Sequence, residues 1–218
     1  MGRIILLSLL FFSSNVFGQL YESVEKEAAN VFLMNGNNST TEQGKTIEGL
    51  KQLEAVLYSV NDSTKNIETL KKSFSHFEAE TKNISVDSAL FLFNQWYLHF
   101  SNTFYAYSKE KFFESPKTKI LFFSTSMSCY CTLEMCKKQT IDILKFVKEN
   151  NDEYEYWIVD SYENNELQIE YETFFAPSVI VMDKNNEVLL KIEYEEDMKE
   201  QLGEFLKGKS TTEELDNE

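Results

Sequence analysis

Proline and histidine are almost absent, with two of each in 218 residues. Residues 119–218 contain no histidine at all, so imidazole is missing as a metal ligand from that half of the chain. His76 and His99 have no second ligand at metal spacing and read as ordinary surface or boundary residues. Positive charge is also scarce: 21 Lys and Arg stand against 36 Asp and Glu, for a net charge of −15. The deficit is uneven. Residues 19–118 carry 13 acidic and 10 basic side chains, net −3, whereas residues 119–218 carry 23 and 10, net −13. So acidic a second half excludes nucleic acid and anionic membrane surfaces as partners, because both would repel it. Long apolar runs are missing too. The nearest is Ile4 to Phe12, far short of the roughly 20 residues of a membrane span, and no later stretch comes closer.

That short run has another reading. Arg3, the apolar segment Ile4 to Phe12 and the polar residues leading to Val16-Phe17-Gly18 have the layout of a cleavable secretory signal. Residues 1–18 are therefore set apart as a signal peptide, and a periplasmic or secreted protein with no membrane span after cleavage is expected. The Asn-x-Ser/Thr sites at Asn37, Asn38, Asn61 and Asn83 matter only where the host glycosylates exported proteins. Disulfides are permitted in such a compartment, but three cysteines are an odd number, so at least one thiol stays unpaired within the chain. All three lie in one stretch, Ser126-Met127-Ser128-Cys129-Tyr130-Cys131-Thr132-Leu133-Glu134-Met135-Cys136.

The rest of the chain falls into two regions. Residues 19–117 read as helical throughout. Val24, Ala28 and Val31 form one stripe, Ile47, Leu50, Leu53, Leu57 and Val60 a second, and Ile67, Leu70, Phe74 and Phe77 a third. A fourth stripe, from Val86 through Leu90, Phe93, Tyr97, Phe100 and Phe104 to Tyr107, alternates steps of four and three behind a capping Ser85. Such a set predicts an antiparallel helical bundle or hairpin pair. Beyond Glu114-Ser115-Pro116-Lys117 the rhythm changes. KILFFS, YEYWIVD, SVIVMD and EVLLKIEY are strand-length apolar runs, and helices are expected at Thr132 to Asn150, Tyr162 to Glu172 and around Met198 to Leu206. The turn Lys184-Asn185-Asn186 makes the last two strands an antiparallel hairpin, and a disordered acidic tail is expected over residues 208–218. The order strand, helix, strand, helix, strand, turn, strand, helix specifies an α/β domain, because a right-handed crossover makes the first two strands parallel.

Over residues 118–207 the sequence resembles the thioredoxin superfamily. Three features carry the resemblance: a strand running into a cysteine-bearing helix start, KILFFSTSMSCYC; a lone proline before the third strand, FFAPSVIVMD; and the KNNEV turn. The resemblance implies a thioredoxin-like mixed four-stranded sheet with flanking helices, preceded here by the all-α region. It also implies a cis Pro177 facing the thiols, with Ala176 presenting backbone to a substrate. Ser128-Cys129-Tyr130-Cys131 stands where the family has Cys-x-x-Cys, so Ser128 replaces the first cysteine. Met127 occupies the aromatic position before the motif, and Phe122 replaces the buried acid of the preceding strand.

These departures leave Cys129 and Cys131 as the candidate catalytic pair, with protein thiols or disulfides as partners. A thiol at a helix start is favoured as the thiolate by unpaired N–H groups and the helix dipole. Cys136 lies five residues beyond Cys131, on the apolar face of Leu133, Ile143 and Val147, and reads as a structural thiol that does not bridge. No cofactor is implied. Two alternatives stand beside thiol–disulfide exchange. One is a soft-metal site, since Cys-x-Cys suits Cu(I); the other is a binding module in which the thioredoxin-like domain serves as scaffold.

Overall fold

The computed structural model describes residues 21–22, 25–26, 65–81, 85–151 and 153–215. Residues 1–18, where a signal peptide is expected, and the stripe from Ile47 to Val60 lie outside the described residues, as do Val24, Ala28 and Val31. The chain divides into two compact units, residues 1–107 and 108–218. Among the described residues, no helix is long and apolar enough to cross a membrane.

In the first unit, α1 (Lys65–Thr81) and α2 (Val86–Thr103) follow the predicted stripes. Ser85 caps α2 by accepting from the Ser88 N–H at 3.2 Å. Leu70 and Phe74 of α1 and Phe93, Tyr97 and Phe100 of α2 are buried, as helical spacing requires. Trp96, which the stripe omits, is buried as well, with its ring 5.2 Å from Phe74 and 5.8 Å from Phe93. Both histidines are exposed. The expected single long helix breaks at Phe104, whose N–H reaches back to the Phe100 and Ser101 carbonyls; α3 (Tyr105–Glu114) then begins anew.

The division at Tyr107 lies upstream of the expected boundary at residue 117, and aromatic packing supplies the reason. Phe112 is buried with its ring 5.8 Å from Trp157 of the sheet, and Lys111 pairs with Glu155 at 3.6 Å. The end of α3 therefore shares a core with the sheet that follows it.

That sheet has four strands, β1 (Lys119–Ser124), β2 (Glu155–Asp160), β3 (Ser178–Met182) and β4 (Val188–Glu193), in the order β2-β1-β3-β4. β1 and β2 are parallel, while β3 runs antiparallel to both β1 and β4. All of β1 and β3 is buried, which is why both read as unbroken apolar runs rather than alternations. Lys119 is the exception in charge. It is fully buried, and its ammonium donates to the Asp183 and Lys184 carbonyls at 3.2 and 3.1 Å, tying the start of β1 to the β3–β4 turn. In that turn Asp183 Oδ1 accepts the N–H groups of Asn185 and Glu187, both at 2.8 Å, and Asn186 takes the left-handed conformation (φ 69°) that asparagine tolerates.

Helices α4 (Tyr130–Glu149), α5 (Asn165–Glu170) and α6 (Met198–Leu215) complete the unit. α5 is shorter than expected, because its polar sequence buries little besides Leu167. Backbone helix in α6 continues beyond residue 207, through Leu215. Gly208 has open space around its Cα, and a single glycine costs a helix only about 1 kcal/mol relative to alanine.

Candidate thiol site

β1 is buried along its length and delivers the chain to a short loop, residues 125–128, that leads into α4. The loop is held from two sides. Thr125 Oγ1 donates to the Met127 carbonyl at 3.1 Å, and the Ser126 N–H donates to Asp160 Oδ1 at 2.9 Å. Asp160 lies opposite Ser124 in the β1–β2 register. It is completely buried, and its Oδ1 also accepts from the Tyr162 N–H at 3.1 Å. A single carboxylate thus clips together the two loops that leave the parallel strands.

Cys129 is the N-cap of α4, with extended backbone (φ −65°, ψ 156°), and its carbonyl accepts the first helical hydrogen bond, from Leu133 N at 3.1 Å. The helix begins at Tyr130 rather than at Thr132 as the sequence suggests, so Cys131 sits in its first turn. Both thiols are exposed and free, with their Sγ atoms 2.7 Å apart. The Thr132 hydroxyl lies 3.2 Å from Cys129 Sγ and 3.4 Å from the Tyr194 hydroxyl. The sulfur makes no full capping hydrogen bond. Its pKa is nevertheless lowered from 9.0 to about 7, first by the Cys131 thiol, then by the Thr132 hydroxyl and N–H and by Ser128.

Cys136 behaves in the opposite way. It is fully buried, and burial pushes its pKa up to about 11, against the smaller opposing pull of the Ser124 side chain and the Thr125 backbone. It is a free thiol, packed as the helical spacing from Cys131 requires. Among the described residues, no three His, Cys, Asp or Glu side chains converge as a metal-ligand set.

An open cleft of about 820 Å³ runs beside the thiols. Ser128 and Thr132 line one side, Phe174, Phe175 and Ala176 another, and Glu193 and Tyr194 a third. The Ala176–Pro177 peptide bond is cis. The Pro177 carbonyl accepts the Tyr194 N–H at 2.9 Å, and Glu193 Oε2 accepts the Phe174 N–H at 3.0 Å. Ala176 therefore shares a cleft with the residues that flank Cys129 and Cys131 in sequence. Phe122 is fully buried in β1.

Several site residues escape the sequence reading. Thr132, Glu193 and Tyr194 come from α4 and the end of β4, which only the sheet brings together. Asp160 had a legible signal, a carboxylate closing the apolar run YWIVD, and so did the adjacent aromatics before Ala176-Pro177.

No protein-family model matches this chain, and no curated protein matches it either. Among solved structures, a malarial protein is similar over 42% of this chain and 96% of its own, at 17% identity and a TM-score of 0.36. The oxidised form of mitochondrial thioredoxin 3 from Saccharomyces cerevisiae is similar over 40% of this chain and 76% of its own, at 14% identity and a TM-score of 0.33. The α/β class and the thioredoxin-like mixed sheet rest on the strand pairing itself: β1 and β2 parallel, β3 and β4 an antiparallel hairpin, and helices between and after them.

Proposed function

We propose that this protein is an exported thiol–disulfide oxidoreductase or isomerase that works through Cys129 and Cys131. The observation that carries the reading is the paired, exposed thiol at a helix start, where Cys129 Sγ has the Cys131 thiol at 2.7 Å and the Thr132 hydroxyl at 3.2 Å. The Cys129 thiolate attacks one sulfur of a substrate disulfide, forming a mixed disulfide and releasing the other sulfur as a thiolate. Cys131, once deprotonated, attacks the Cys129 sulfur and releases the second substrate thiolate. Two electrons pass to the substrate and a Cys129–Cys131 disulfide remains, which an external dithiol reduces to close the cycle. A Cys-x-Cys bridge closes a small ring and is readily reduced, which suits exchange and isomerisation better than permanent storage of the bond. Buried and protonated, Cys136 takes no part.

The cleft supports the same reading, because Ala176 and the ring of Phe175 stand beside the thiol loop with room for an extended chain. The test is single-turnover mixing of the reduced protein with glutathione disulfide, followed by mass analysis of trapped adducts. The expected adduct is on Cys129 in the Cys131→Ser variant, with none in Cys129→Ser. An adduct that forms first on Cys131 in the otherwise unaltered chain would reverse the roles. No adduct on either thiol would remove the oxidoreductase reading.

A further inference from the structure

We infer that the cleft beside the thiols is built for a cationic polypeptide segment with apolar side chains; the inference deepens the proposed thiol–disulfide function by naming the class of its partner. The apolar part comes from the rim. Phe174 is 76% exposed, Phe175 60% and Tyr194 41%, and Met127 and Tyr130 beside the thiols are 63% and 71% exposed. Scattered apolar residues on a surface need no explanation, but large exposed side chains gathered around one cleft mark an interaction site.

Charge selects the occupant. Residues 161–176, which supply the Phe174 wall, carry four glutamates and no lysine or arginine. Residues 193–197, which supply the Tyr194 wall, carry four carboxylates in five positions and again no base. Apart from the half-buried Glu193, these carboxylate residues are exposed. Over residues 125–136 the only charge is Glu134, which Lys137 already meets at 2.7 Å. The nearest base in β4, Lys191, is committed to the Tyr171 and Glu172 carbonyls.

The lysines of this unit stand elsewhere. Lys137, Lys138, Lys145 and Lys148 are on α4, Lys199, Lys207 and Lys209 on α6, and Lys184 in the β3–β4 turn. The two segments that supply these walls carry eight carboxylates and no base, and Glu193 lines the cleft itself, so same-sign potentials add beside it. A small cation would leave the aromatic rim unused. A lysine- or arginine-bearing chain with an aromatic or aliphatic residue next to its cysteine fills the rim and neutralises the walls together.

The test uses the full mature chain and two fluorescent peptides of identical length, one built on lysine, leucine and tryptophan and the other with glutamate in place of every lysine. Each is made in two forms, with serine or with an activated mixed disulfide at its centre. Anisotropy with the serine forms reads docking without chemistry, and release of the activating group reads the thiol reaction. The lysine peptide is expected to bind at least roughly tenfold more tightly than the glutamate peptide, with the advantage shrinking between about 20 and about 200 mM salt. A variant with Glu172, Glu195 and Glu196 changed to Gln should lose most of that advantage, and Phe174→Ser with Phe175→Ser should weaken both peptides. Equal binding of the two peptides, or a preference that ignores both salt and the Gln substitutions, overturns the inference. Docking of the lysine peptide without any thiol reaction would leave the inference standing and remove the oxidoreductase reading. Equal reaction with both peptides, without selective docking, would do the reverse.

Discussion

The Cys129 titration offers the sharpest test of how the site works. A thiol with a pKa of about 7 is about half thiolate at pH 7, whereas at the ordinary 9.0 only about 1% is ionised. The contacts of Cys129 are therefore worth roughly 50-fold in reactive species at that pH. The Cys131 thiol is the largest contributor and the Thr132 hydroxyl the next, so Cys131→Ala should raise the Cys129 pKa more than Thr132→Val does. Valine keeps the shape of threonine and removes only the hydroxyl. If it raises the pKa by about one unit, the thiolate fraction at pH 7 falls about fivefold, from about one half to about one tenth. Thr132→Ser should restore the parent value, and Tyr194→Phe should give a smaller shift in the same direction, since that phenol polarises the Thr132 hydroxyl from 3.4 Å. The assay is alkylation by iodoacetamide over a pH series, with Cys129 adducts counted by mass. A protein carrying both Cys131→Ala and Thr132→Val that titrates like the parent would refute the account based on these side-chain contacts.

Other consequences follow from the same geometry. Asp160→Leu removes the acceptor shared by the Ser126 and Tyr162 N–H groups and should cost about 3 kcal/mol in urea unfolding, with Asp160→Asn, which keeps one oxygen, costing less. Cys136 holds its proton in the fold up to about 11 but only to about 9.0 when unfolded. Its contribution to stability is thus complete below pH 9 and is lost as pH rises through 11; Cys136→Ala should lack that component of alkaline destabilisation in parallel unfolding curves. Alkylation of Cys136 should need denaturant, while Cys129 labels in the native protein. Trp157→Ala should cost about 3–5 kcal/mol in unfolding of the sheet-bearing unit and expose Phe112, read by intrinsic fluorescence.

Local pattern alone settled much of this protein. Runs such as KILFFS and SVIVMD are strands because both their faces are buried, and a run without alternation announces that. The helical stripes of Leu70 to Phe74 and Phe93 to Phe100 needed only a period of 3.6, and Ser85 its capping chemistry. Cys136 was placed in the core by sharing the helical face of Leu133, Ile143 and Val147. The break at Phe104 and the shift of the unit boundary to Tyr107 were not legible, because Phe112 carries the same apolar signal whichever core it joins. The site divides in the same way. Cys129 and Cys131 announce themselves as neighbours in sequence. Their pairing with Thr132 and Tyr194, the Asp160 clip and the cleft that Glu193 lines depend on residues up to about sixty positions apart, which come together only when β4 pairs with β3 and β2 with β1. Sequence specifies which residues ionise, pack or cap; the sheet decides which of them meet, because contact across strands is set by register and not by order along the chain.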